Sequence, residues 1–115
     1  MVDWYAEAGV GTAGAIVTES DPPEGAEYVL TGPVTLYEVT AIREAFRAAL
    51  AGGQPLRIDL GESGPWDIAG LQLLISCVRS GEGRGQAVRV VNPPRSCADT
   101  AERSGLSGWL RSVGA

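Results

Sequence analysis

The chain contains no histidine. Its absence removes the side chain most often used as a general base near neutral pH, the commonest metal-binding nitrogen and the usual sensor of mild acid. A serine–histidine–acid triad cannot be assembled either. There are only two cysteines, Cys77 and Cys97, fewer than the ligands a zinc ion needs. Aspartate and glutamate are plentiful, yet no pair of them stands on a recognisable acid–base scaffold. A glycine-rich run, GVGTAG at 9–14, comes before a predicted strand instead of after it and opens no helix, so it is not a dinucleotide cradle. On these grounds no catalytic residue, metal-ligand set or cofactor is assigned, and the chain is not expected to be an enzyme.

Basic charge is also scarce. Nine Lys and Arg stand against fourteen Asp and Glu, for a formal net charge of −5 and a pI near 4.6. Phosphate backbones and anionic membrane surfaces both call for a basic face, and the arginines here are scattered. Nucleic acid is therefore not an expected partner. No stretch approaches the roughly 20 apolar residues of a membrane span. The first residues, MVDWYAEAGVGTAG, lack a basic start and carry Asp3 and Glu7 where a signal peptide is apolar. A cytoplasmic protein is expected, in which Cys77 and Cys97 remain thiols.

What is present is a globular composition, 44% hydrophobic and 20% charged, long enough for one domain with a core of its own, residues 1–115. With three Trp, three Tyr and one Phe, Leu, Val, Ile and Ala must fill most of that core. Residues 1–12 read as a flexible N-terminal segment. AGAIVTES (13–20) and AEYVLTG (26–32) are rich in β-formers and flank DPPEG, which predicts a hairpin. In the following PVTLYEVTAIREAFRAALAGG, apolar residues at Leu36, Val39, Ile42, Phe46 and Leu50 form one helical stripe, with Ala45 and Ala49 between. Thr35 and Glu38 have capping-box spacing, Gly52–Gly53 provide a stop, and Arg43, Glu44 and Arg47 are expected to face water.

QPLRIDL (54–60) reads as a strand and GESGPW (61–66) as a loop. A second helix starts at Asp67, with Ile68, Leu71, Leu74, Ile75 and Val78 on one side and Leu73 and Cys77 widening the face. GEGRG (81–85) ends it. QAVRVVN (86–92) is a further strand, a third helix follows the prolines of NPPRS, and SGWLRSVGA closes the chain with an added helical turn in which Trp109 packs. The predicted order β-β-α-β-α-β-α implies an α/β fold: a small, mixed, mostly parallel sheet with helices packed on it.

Asp67 suits the helix start, since its carboxylate can accept the free N–H groups there and its charge fits the helix dipole. Gly70 in the first turn lowers helix propensity and so calls for a close backbone approach. Trp66 leaves two placements open: an exposed anchor of the kind enriched at binding hot spots, or a ring folded over the sheet end.

The ordered set LRIDL, WDIAGLQLL, VRVVNPP and AERSGL resembles the STAS domain family, which includes the anti-sigma factor antagonists of bacteria; the likeness runs from about residue 26 to 110. The family pattern has a strand ending in Asp-Leu, then Asp-Ser-Ser-Gly-Leu opening the second helix, then a strand ending in Val-Asn-Pro. The resemblance implies a regulatory protein–protein interaction module in signal transduction and transcription regulation. Its partner-binding edge would be Pro65, Trp66, Asp67, Ile68, Ala69, Gly70 and Leu71, and its partner an anti-sigma kinase-like or other signalling protein; a homodimer stays open. In phosphorylation-regulated members the serine after the aspartate accepts phosphate. Here that position is Ile68, which has no hydroxyl, and Ala69 replaces the second serine. A phosphate would add about −1.5 to −2 charges to a docking surface, and Ile68 cannot carry it. Ser63, five positions upstream in the predicted loop, is a candidate substitute, although unmodified serines are common in such loops. The resemblance also covers accessory subunits of chemotaxis or lipid-transport ABC complexes and small-ligand (nucleotide or lipid) sensing domains.

Overall fold

The computed structural model describes residues 25–114. Seven elements follow in order: β1 (Ala26–Val34), α1 (Val39–Leu50), β2 (Leu56–Trp66), α2 (Ile68–Gly83), β3 (Val88–Val91), α3 (Arg95–Arg103) and α4 (Ser107–Gly114). The strands form a parallel sheet in the order β1-β2-β3. This is the α/β fold expected from the alternation of strands and helices. The first half of the predicted hairpin, 13–20, and the N-terminal segment 1–12 lie outside the described residues.

Period-two alternation sets the two sides of the sheet. Ala26, Leu56 and Val88 share one register line, Tyr28, Ile58 and Val90 the next, and these lines face the helices. Phe46 and Leu50 of α1 and Leu71, Leu74, Cys77 and Val78 of α2 complete the core against them. Tyr28 meets Phe46 edge-on, with ring centroids 6.0 Å apart. The intervening line, Glu27, Arg57 and Arg89, points to the other side, where both arginines are exposed.

Several local expectations are corrected. Residues 61–66 are not a loop; β2 continues through them to Trp66. Its glycines and proline are absorbed by register shifts against β1 between Val29 and Thr31 and between Gly32 and Val34. Buried positions along β2 accordingly run Leu56, Ile58 and Leu60, then step by three to Ser63 and Trp66. Each bulge inserts one unpaired residue and restores the inward direction. Leu36 leaves the predicted stripe because the chain turns at Thr35–Glu38 and α1 starts only at Val39. Glu38 does reach back to the Thr35 N–H at 2.9 Å, but the Thr35 hydroxyl turns to the Glu38 carboxylate and the Tyr37 N–H instead of capping the helix. Arg47 is buried instead of facing water, its guanidinium 2.7 Å from the Glu44 carboxylate.

The α2 helix ends at Gly83, within the GEGRG stretch expected to stop it, and Gly81 packs inside its last turn against β3. A Cβ there would lie 2.4 Å from a Val88 methyl. The predicted final turn is a full helix, α4, whose Trp109 is partly buried against the core. Cys77 and Cys97 are free, buried thiols.

Candidate partner-docking site

The site is assembled where the C-terminal ends of β1 and β2 hand over to α1 and α2. Asp67 has an extended backbone (φ −129°, ψ −178°), which places it as the N-cap of α2, and its Oδ1 accepts the Gly70 N–H at 3.0 Å. Its Oδ2 accepts the Leu36 N–H, also at 3.0 Å. The Asp67 N–H in turn donates to the Val34 carbonyl at 3.3 Å. One residue thus caps a helix and ties it to the turn after β1.

Gly70 supplies the close approach its low helix propensity called for. A Cβ at this position would sit 2.1 Å from the Val34 carbonyl oxygen and 2.8 Å from a Val34 methyl. Only hydrogen fits, so the first turn of α2 lies directly on the backbone at the end of β1.

These constraints decide what the expected edge presents. Trp66 is folded inward and only 6% exposed. Its indole N–H donates to Ser63 Oγ at 2.8 Å, and its carbonyl accepts the Thr100 hydroxyl at 3.3 Å. Leu71 is fully buried and Gly70 is buried against Val34. Asp67 and Ala69 are half-buried and Pro65 is exposed. Ile68 is the apolar side chain of the helix start that remains at the surface, 44% exposed.

Beside it lie two residues that the sequence reading did not place at a surface site, Leu36 (64% exposed) and Tyr37 (91%). Asp67 brings their turn to the start of α2 through the bond to Leu36. From there a shallow groove runs between α1 and α2, lined by Val39, Thr40, Arg43, Ala69, Gln72 and Leu73. Scattered exposed apolar side chains are ordinary on a soluble domain; here three of them adjoin one groove. The sequence signal for it was the Thr35–Glu38 spacing, whose turn takes Leu36 out of the helical stripe and leaves Tyr37 beside it.

Ser63, the substitute acceptor, is not on a loop. It is a buried strand residue whose hydroxyl donates to the Leu60 carbonyl at 2.7 Å and accepts from Trp66. At the neighbouring strand end, Asp59 Oδ1 accepts the Gly61 N–H at 2.8 Å and the Asn92 amide at 3.2 Å. That joins the aspartate of LRIDL to the asparagine of VRVVNPP. Asn92 has a positive φ of 57°, a conformation asparagine tolerates better than most residues. Burial pushes the Cys97 thiol up to about 12 and the Cys77 thiol higher still, so neither is a ready nucleophile at neutral pH. Among the described residues no three His, Cys, Asp or Glu gather where they could hold a metal ion, and no helix is long and apolar enough to cross a membrane.

A family model described as "Mlab, STAS domain" matches residues 18–112. The chain belongs to the STAS domain family. STAS domains generally serve as regulatory, protein-binding modules without catalytic activity of their own. No curated protein matches the chain significantly by sequence. Among solved structures it is similar to the anti-sigma factor antagonist SpoIIAA in its unphosphorylated form, with 22% identity, a TM-score of 0.60, and coverage of 79% of this chain and 81% of that one. It is also similar to the STAS domain of a SulP transporter from Vibrio cholerae (23% identity, TM-score 0.58, coverage of 83% and 72%). A third similar structure, solved as Mglu, shares 20% identity with a TM-score of 0.56 over 72% of this chain, which spans only 21% of that chain. These likenesses establish the STAS fold; the Asp67–Gly70–Val34 junction is how this chain builds its second-helix start.

Proposed function

We propose that this STAS domain is a non-enzymatic regulatory adaptor, acting in the cytoplasm, that docks a protein partner in the manner of an anti-sigma factor antagonist. The docking edge is Ile68 with Leu36, Tyr37 and the α1–α2 groove, and its competence does not depend on phosphorylation at position 68. The observation that carries this reading is the half-exposed isoleucine at the helix start, held beside two exposed apolar side chains by Asp67. Burying such a cluster supplies contact free energy, about 25 cal/mol per Å² of apolar surface covered. Its preformed backbone limits the ordering cost. Of the seven positions first assigned to the edge, Trp66, Gly70 and Leu71 support it from beneath.

A second reading, an accessory STAS subunit of a transport or signalling complex, is favoured by the similarity to the STAS domain of a SulP transporter. The two differ in partner, not in the edge used.

Capture from native cytosol with immobilised wild type, Ile68→Asp and Tyr37→Ala tests the edge. A stoichiometric partner should be retained by wild type, lost by both variants, and unaffected by prior incubation with phosphatase or with kinase and ATP. Equal retention by all three proteins would reduce the Asp67–Leu71 edge to a helix cap and overturn the reading. The identity of the partner, a kinase-like regulator or a transport subunit, separates the two versions.

A further inference from the structure

Two register lines of the sheet point away from the core. One is Glu27, Arg57 and Arg89, and the next is Val29, Asp59 and Val91. Parallel sheets are normally covered on both faces. Here Arg57, Arg89 and Val29 are exposed, and Glu27, Asp59 and Val91 are half-buried. Of the large apolar side chains exposed among the described residues, Leu36, Tyr37 and Ile68 stand at the docking edge; Val29, 44% exposed, stands on this other face. The two lines carry balanced charge, Glu27 and Asp59 against Arg57 and Arg89. On the central strand Arg57 and Asp59 are two residues apart, so they stand side by side on one face. Arg57 Nε meets Glu27 Oε2 only loosely, at 3.4 Å. Asp59 Oδ1 accepts from the Gly61 N–H and the Asn92 amide, and among the described residues nothing donates to Oδ2.

We propose that two copies of the chain associate through this face, sheet against sheet, about a two-fold axis that runs across the strands between the two lines. Such an axis sets each line against the other line of the second copy. Arg57 of each copy then faces Asp59 of the other, and the pair occurs twice, as an isologous contact requires. Val29 and Val91 come under the stems of Glu27 and Arg89 of the other copy. A two-fold axis along the strands would instead oppose Arg57 to Arg57 and Asp59 to Asp59, which costs affinity. The charge pattern therefore selects the first arrangement. It also favours a second copy over the chain's own residues 1–24, which carry Asp3, Glu7, Glu19, Asp21 and Glu24 and no basic residue. That segment would bring like charge to Glu27 and Asp59. A face three strands wide falls short of the usual interface of about 800 Å² per partner, so the dimer is weak, with a dissociation constant on the order of 100 μM. Helices α1 and α2 lie on the opposite face of the sheet, and the docking edge stays open in both copies.

The test is analytical ultracentrifugation of the full chain from about 10 μM to about 1 mM, concentrations that bracket the expected constant, with amide NMR over the same range. The average mass should rise from 11.9 kDa toward twice that value, and the amides of Val29, Arg57, Asp59 and Val91 should shift with concentration. Arg57→Asp sets acids against each other and Asp59→Arg sets arginines against each other, so each alone should weaken the dimer about tenfold or more. Mixed in equal amounts, the two variants regain both opposite-charge pairs and should associate about as well as wild type. Asp59→Arg also gives up the bonds to Gly61 and Asn92. Val29→Asp, at an exposed position facing Glu27 of the other copy, is therefore a second disrupting variant and should weaken the dimer as well. Ile68→Asp should dimerise like wild type. A chain still monomeric at the highest concentration, shifts centred on Ile68 and the α1–α2 groove, Arg57→Asp or Val29→Asp dimers as strong as wild type, or folded charge variants that fail to associate on mixing would each overturn the proposal.

Discussion

Asp67 accepts the backbone N–H of Leu36 at 3.0 Å across 31 positions of sequence while its other oxygen caps α2 at Gly70. The carboxylate therefore has a local role and a tertiary one, which substitution can separate. Asn keeps a single oxygen, so Asp67→Asn can retain the cap or the Leu36 bond but not both, whereas Asp67→Ala loses both. A lost cap costs about 1 kcal/mol, and the orphaned Leu36 donor adds a comparable amount. Expected stabilities run wild type, Asn, Ala in denaturant unfolding. Hydrogen exchange should rise at Leu36 and Gly70 in the alanine variant, and unchanged protection at Leu36 would show that the turn holds itself.

Among the described glycines, Gly70 leaves the least room for a side chain. In most exposed helix sites Gly→Ala stabilises by up to about 1 kcal/mol. Here the added methyl would meet the Val34 carbonyl oxygen at 2.1 Å, so α2 would have to move off β1. Gly70→Ala is expected to destabilise by about 2 kcal/mol or more, as overpacking in a fitted core does. Chemical denaturation checks it, and an unchanged or raised midpoint would refute the close approach.

Much of this architecture was legible in the sequence because its signals are local. The Asp67 cap, the Ile42–Phe46–Leu50 stripe and the alternation of LRIDL depend on spacing within one element, and each appears as expected. The end of β2 was hidden because Gly61, Gly64 and Pro65 carry turn chemistry; a partner strand with matching bulges keeps them in the sheet. Arg47 was misplaced as well: it is buried, although its ion-pair partner Glu44, three residues away, faces solvent. The docking edge was half legible. Ile68 followed from the helix start, but its proximity to Leu36 and Tyr37 arises from a contact spanning 31 residues, which no periodicity reports.

The buried thiols make stability depend on alkaline pH. Against an ordinary value of 9.0, burial raises Cys97 to about 12 and Cys77 further. Below pH 9 both thiols are protonated in the folded and the unfolded chain, and their contribution is fully present. Above it the unfolded chain releases protons that the folded chain retains. Stability then falls by roughly 1.4 kcal/mol per pH unit for each thiol. Half-buried Tyr28, also raised by burial, acts in the same direction from pH 10.0 upward. The urea midpoint should decline between about pH 8.5 and 10.5, with a shallower slope in Cys97→Ala. Identical slopes for the two proteins would mean that Cys97 titrates freely in the native state.

The proposed independence from phosphorylation at position 68 leaves Ser63 to be tested as a substitute acceptor. Its hydroxyl donates to the Leu60 carbonyl and accepts the Trp66 indole N–H, inside a buried strand. Phosphorylation would require both bonds to break and a doubly charged group to enter the sheet. Kinase exposure of the native chain should therefore leave Ser63 unmodified, although a peptide spanning 57–69 can be a substrate. Ser63→Ala strands the Trp66 donor, at a cost of about 1–3 kcal/mol, with a shift in the tryptophan emission of the folded state. Ser63→Asp, which places an unpaired charge in the same site, should cost more than the alanine change. Rapid native phosphorylation, or a Ser63→Asp variant as stable as wild type, would show that this strand opens readily and would overturn the proposed independence from phosphorylation.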